Sequence, residues 1–258
     1  MIPPDDRGFT LGDGLFETVL VRAGAPVLWA AHMDRLTWGC DALDLPPPDP
    51  ELCLSAGLEA VAAVGLDDAR AALRLSWSAG SGGRGLERPP APAPRLSVQA
   101  SPAPVVERPA VLATASVRRN QGSTIARLKT LSYLDNVLAR AEALRLGADE
   151  ALMLNGLGEV AGGAAANLFW IEGEALFTPA LECGVLGGTI RGALMARAAE
   201  AGFVVEAVRA GPEALHRAEA LFLTTRLIGL RPVSRLDGRT FAAHPAMARL
   251  SGLLEDLV

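Results

Sequence analysis

A single lysine, Lys129, stands in a chain of 258 residues whose other 23 basic side chains are all arginine. Arginine keeps its proton at any working pH, whereas a lysine amine can lose it and form a Schiff base with a carbonyl. Lys129 therefore reads either as a surface cation that survived or as a catalytic amine. The only tyrosine, Tyr133, follows four residues later, one turn away if that stretch is helical. A second chemical feature is Gly187-Gly188-Thr189-Ile190-Arg191, which opens a predicted helix. The amides and dipole of such a terminus favour an anion, typically phosphate. Thr224-Thr225, closing a predicted strand, add hydroxyl donors. Arg35, on a predicted amphipathic helix, reads by itself as a solvated charge. Arg84, inside Ser81-Gly82-Gly83-Arg84-Gly85, reads either as a surface-turn residue or as a group that recognises a substrate carboxylate.

Other chemistries have little material. Three histidines (His32, His216, His244) are scattered, which leaves a zinc site or a Ser-His-Asp triad poorly supplied. Cys40, Cys53 and Cys183 show no metal-like or paired spacing and fit free thiols in a reducing cytoplasm. Half the residues are apolar and 21% are charged, as in a globular protein with ample core. A net charge of −5 offers no basic footprint for nucleic acid or an anionic membrane. The first residues resemble no signal or transit peptide, and no stretch approaches the roughly 20 apolar residues of a membrane span. A cytoplasmic globular protein that binds neither nucleic acid nor membrane is the expectation.

The elements that must position these residues follow from hydrophobic period and turn chemistry. Residues 7–14 read as a glycine-punctuated loop, 15–22 as a strand, 24–26 as a turn and 27–29 as a return strand. Helices are expected over 32–43 and 50–64, and strands over 71–78 and 95–101. The polar run Arg118-Arg119-Asn120-Gln121-Gly122-Ser123 reads as a linker. The expected division is a small α+β domain (1–116), a linker (117–123) and a larger α+β domain (124–258) carrying the lysine. In the latter, helices are expected over 134–146, 189–201, 211–216 and 246–257. Strands are expected over 150–154, 168–171, 176–178, 204–209 and 221–225.

The order of several segments is recognisable. They are DRGFTLGDGLFET (6–18), HMDRL (32–36), RLKTLSYLDNVLARAEA (127–143), GADEALMLNGLGEV (147–160), ANLFW (166–170), LFTP (176–179), GVLGGTIR (184–191) and RPVSRLDG (231–238). Together they resemble the fold-type IV pyridoxal phosphate (PLP) family of branched-chain and D-amino-acid aminotransferases and aminodeoxychorismate lyases. SGGRG, RRNQGS and ANLFW look most like the lyase branch. The resemblance implies two α+β domains with PLP in the interdomain cleft, and a homodimer whose sites are finished by loops of the partner. It implies that Lys129 is the Schiff-base lysine and that Arg35 binds the cofactor phosphate, against its reading as a solvated charge. By the same resemblance the main-chain amides of Thr189 and Ile190 bind that phosphate, and the loop with Thr225 and Arg226 completes the cradle. Thr18 becomes a candidate proton relay and Asn167 a support of the site. The implied activity is conversion of 4-amino-4-deoxychorismate to 4-aminobenzoate and pyruvate, with transamination and a catalytically weak PLP-binding relative as alternatives.

Three departures stand out. The family places a glutamate against the pyridine nitrogen five residues before the asparagine, and here that position is Gly162. Arg226 stands where relatives usually have a small hydroxyl residue. Relatives also carry a strand ahead of the first segment, where only five residues precede Asp6. The resemblance thus implies a late start or a trimmed small domain.

Overall fold

The computed structural model describes residues 2–258 and shows an α+β protein whose chain divides into two compact units. The first unit, Met1–Pro104 with Leu128–Tyr133, begins with a short helix, α1 (Arg7–Leu11), where a loop was expected. Asp6 caps it by accepting from the Gly8 amide, and Gly12, at φ 67°, stops it. Next come strand β1 (Gly14–Arg22), strand β2 (Ala25–Pro26) and helix α2 (Trp29–Ala42). The return strand thus falls at 25–26, inside the expected turn, and residues 27–29, expected as strand, are a turn running into the start of α2. Helix α3 (Pro50–Ala63) follows, with Asp49 as its cap and proline at its first position. Strands β3 (Arg70–Ser78) and β4 (Arg95–Pro102) complete an antiparallel sheet of order β2-β1-β3-β4.

Alternation along these strands separates two faces. Leu15, Val19, Val21, Leu73 and Leu75 pack with Met33, Leu36, Cys40, Cys53 and Val61 into one core beneath α2 and α3. The register pairs Phe16 with Ser76 and Thr18 with Arg74, which places those four together on the opposite face.

The second unit, Val105–Arg127 with Leu134–Val258, holds strand β5 (Ala110–Arg119), helix α4 (Leu134–Arg145), and strands β6 (Glu150–Asn155), β7 (Val160–Gly163), β8 (Asn167–Glu172) and β9 (Ala175–Pro179). Helix α5 (Thr189–Glu200), strand β10 (Val204–Val208), helix α6 (Pro212–Arg217), strand β11 (Ala220–Thr225), strand β12 (Gly229–Leu236), strand β13 (Arg239–Thr240) and helix α7 (Ala246–Gly252) follow. The sheet runs β10-β9-β8-β11-β12-β5-β6-β7, with β13 beside β12. Its core gathers Leu168, Trp170, Leu221, Leu223 and Val233 with Leu215 of α6. Ala139 and Ala143 of α4 pack on Ala113, Ala151 and Met153. The expected last helix ends at Gly252, and a 3-10 turn takes Glu255–Leu257.

The division differs from the expected one. Residues 117–119 belong to β5, which is hydrogen-bonded between β12 and β6, so the first three residues of the expected linker are sheet. Residues 105–116 belong to the second unit, and Lys129 falls in the first. The cause is a long-range pairing. The Phe16 amide donates to the Lys129 carbonyl (2.8 Å) and the Leu131 amide to the Gly14 carbonyl (2.9 Å), stitching residues 129–131 onto β1.

Candidate active site

In the first unit, Lys129 lies on the polar side of the sheet. Its amine sits 4.1 Å from the centre of the Phe16 ring and 5.6 Å from that of Tyr133, and these two rings meet edge to face. Lys129 as a whole is half-buried, but desolvation of its amine, helped by the positive charges of Arg35 and Arg74, pulls its pKa from 10.5 to about 8. Glu17 opposes that shift. The result is an amine with a sizeable unprotonated fraction near neutral pH. That property separates a nucleophile from a surface lysine.

Glu17 points to the other face and is buried. Arg35 forks onto it, with Nε 2.7 Å from one oxygen and Nη2 2.6 Å from the other. The Nδ1 of fully buried His32 lies 2.7 Å from the same carboxylate. Because the carboxylate can only accept, that ring nitrogen carries the proton. Burial alone would raise Glu17, but the hydrogen bonds from His32 and Arg35 overrule it and hold its pKa at about 2. Arg35 is therefore a positioned cation, not a solvated one.

One functional group escaped the sequence reading. Arg74 lies with its guanidinium 3.8 Å over the Phe16 ring, on the face that carries Lys129 and Thr18. No carboxylate pairs with it among the described residues, which leaves a half-buried cation beside the amine. Its signal was a lone charge at the centre of the run Ala71–Trp77, otherwise apolar but for Ser76. Arg84, in contrast, is exposed in the loop after β3 and makes no hydrogen bond or ion pair among the described residues. That loop is fastened nearby, where the Arg7 guanidinium donates to the carbonyls of Leu86 and Glu87.

The second unit holds the other candidate residues. Gly188 caps α5 without a side-chain hydrogen bond, so no side chain serves as acceptor for the first-turn amides around Thr189 and Ile190. A Cβ on Gly188 would fall 2.0 Å from Oδ1 of Asn167, while Nδ2 of Asn167 donates to the Leu186 carbonyl (2.9 Å). Asn167 thus fixes the approach to α5, and Gly188 must be glycine to let it. The Thr225 hydroxyl accepts from the Ile228 amide (3.1 Å) and closes the turn that carries Arg226, whose side-chain nitrogens are all shielded from solvent. Gly162 sits in a β-bulge. Between the pairs Leu152–Gly163 and Leu154–Val160, Met153 faces both Ala161 and Gly162, and Gly162 takes φ 91°. A glutamate at 162 would be strained in this backbone.

A buried amine and an uncapped helix N-terminus are the donor sets that PLP requires at its aldehyde and its phosphate. Both are present, although the bulge at Gly162 offers no carboxylate. The model of the amino-transferase class IV family matches residues 14–236. Aminodeoxychorismate lyase of Vibrio harveyi is 29% identical, over 92% of this chain and 88% of its own. The crystal structure of 4-amino-4-deoxychorismate lyase from Pseudomonas aeruginosa is 32% identical, covers 99% of this chain and 95% of its own, and superposes with a TM-score of 0.89. A hypothetical aminotransferase from Mycobacterium tuberculosis in its PLP-bound form is 26% identical, with a TM-score of 0.86 over 100% of this chain and 93% of its own. With that match across most of its length, the chain belongs to the class IV aminotransferase family of PLP-dependent enzymes.

Proposed function

We propose that this protein is a PLP-dependent lyase that converts 4-amino-4-deoxychorismate to 4-aminobenzoate and pyruvate. The observation that carries the proposal is the Lys129 amine, depressed to about 8 and flanked on one sheet face by Arg74. Lys129 takes the cofactor aldehyde, and Arg35 with the amides of Thr189 and Ile190 takes its phosphate, joined by the Thr225 and Arg226 turn. When bound, PLP supplies the electron sink that makes the substrate Cα–H acidic. Lys129, free as a neutral amine, removes that proton. The Thr18 hydroxyl, opposite Arg74 in the register, relays a proton within the same face. Arg74 orients a substrate carboxylate by charge and fork geometry, the role that one of the two sequence readings gave to Arg84. Phe16 and Tyr133 wall the amine and keep water from it.

Release of 4-aminobenzoate from aminodeoxychorismate, followed by its fluorescence, tests this reading. The expected result is product formation that needs no 2-oxo acid acceptor. A protein that makes no 4-aminobenzoate but interconverts amino and 2-oxo acids is a transaminase instead. Inertness toward both would fit the loss of the carboxylate at Gly162.

The protein is further proposed to act as a homodimer. Supporting this, α4 buries Ala139 and Ala143 but exposes Leu134, Val137, Leu138 and Leu144, an apolar stripe at helical spacing. Sedimentation should give twice the chain mass, and Leu138→Asp should shift it to monomer. A parent that sediments as a monomer refutes this.

A further inference from the structure

We propose that Thr224 supplies a hydroxyl to the anion held at the start of α5, an assignment that rests on the reading of α5 as the phosphate end of the PLP site. Thr224 pairs with Asn167 across β11 and β8. Cross-strand partners in an antiparallel pair share a face, so the two side chains stand on the same side of the sheet. That side is the one toward the segment leading into α5. Asn167 reaches the Leu186 carbonyl there, and its Oδ1 occupies the space against Gly188.

The Thr224 side chain is only 2% exposed, and its hydroxyl has no hydrogen-bond partner. A buried hydroxyl left in that condition is destabilising, so its partner is a group that arrives from outside the chain. The charge of that group follows from α5. The helix runs 12 residues, its N-cap has no side-chain bond, and its dipole presents positive charge at Gly188–Ile190. Arg191, in the same first turn, is buried, and its guanidinium is held by neutral acceptors, the Thr178 hydroxyl (3.3 Å) and the Pro179 carbonyl (3.0 Å). Glu182 offsets part of this positive charge from a distance, without an ion pair, so the start of α5 remains a favourable place for an anion. The missing partner is therefore an anion with several acceptor oxygens, the chemistry of a phosphate monoester. Neighbouring Thr225 differs in kind, because its hydroxyl is already engaged by the Ile228 amide.

The test compares parent, Thr224→Val and Thr224→Ser as full-length chains freed of cofactor. PLP affinity is read by absorbance, and pyridoxal, which lacks the phosphate, serves as the second ligand. Thr224→Val should weaken PLP about tenfold, the equivalent of one lost hydrogen bond to an ion. Pyridoxal affinity should stay unchanged, and Thr224→Ser should bind PLP like the parent. Without cofactor, Thr224→Val should melt no lower than the parent, since the hydroxyl it removes stabilises nothing there. Equal PLP affinity of parent and Thr224→Val overturns the proposal. Lower melting of the valine variant, with PLP and pyridoxal weakened alike, also overturns it by making Thr224 structural. A parent that binds PLP no better than pyridoxal overturns the phosphate reading of α5 itself.

Discussion

Lys129→Ala should abolish the visible absorbance of the PLP-loaded protein and lower turnover by about 10⁴-fold or more, since one side chain serves as both cofactor anchor and proton carrier. Lys129→Arg should do the same, because a guanidinium keeps the charge and cannot give up its proton. A variant that keeps the band would remove Lys129 from the centre of the site. The lowered pKa adds a pH signature. The rate at which cofactor-free protein takes up PLP should rise with pH along a limb centred on about 8, as the neutral amine becomes populated. Stability follows the same group. An unfolded lysine holds its proton up to about pH 10.5, whereas the folded one releases it above about 8. Its burial therefore penalises the cofactor-free fold fully below about 8, and the penalty fades between about 8 and 10.5. Because the aldehyde condenses with the neutral amine, the stabilisation that a fixed PLP concentration brings should grow as pH rises through about 8.

Glu17→Gln should cost about 3 kcal/mol of unfolding free energy, read by urea titration, and should weaken PLP binding as well. The amide keeps the shape but leaves the Arg35 fork and the His32 Nδ1 proton without the charge they converge on. The pH dependence has the opposite sign to that of Lys129. Glu17 titrates at about 2 in the fold against 4.5 unfolded, so its contribution is fully present above about pH 5 and is lost as pH falls through about 2. Unchanged stability of Glu17→Gln between pH 5 and 7 would mean that the three side chains do not act as a unit. Unchanged PLP affinity would separate Arg35 from the phosphate.

Much of the architecture was legible because period and punctuation are local. Helix α3 announces itself by Asp49-Pro50, and β1 and β3 by β-branched and apolar runs. What escaped had a conflicting local signal. Arg118-Arg119 looked like linker, yet they end β5, where pairing with Leu154 and Asn155 of β6 outweighs the polar composition. Strand β12 contains Pro232, which argues against a strand in isolation. Strand β7 is four residues of valine, alanine and glycine, too short and too plain to read. Arg7–Leu11 looked like a turn because its glycines hid the cap at Asp6.

The sequence by itself determined which chemistry was available. One lysine among arginines, a glycine-led helix start, an ordered set of motifs and a glycine at 162 are covalent facts that no fold can alter. Only the tertiary structure decided how those groups behave. It stitched residues 129–131 onto β1, desolvated the amine beside Phe16, brought the charges of Arg35 and Arg74 within reach, and so lowered its pKa to about 8. It turned Arg35 from an apparent surface charge into one held by Glu17, and showed that position 162 is a bulge suited to glycine. The physical reason is that desolvation and Coulomb fields depend on distances between residues far apart in the chain, and spacing along one strand or helix carries no record of them.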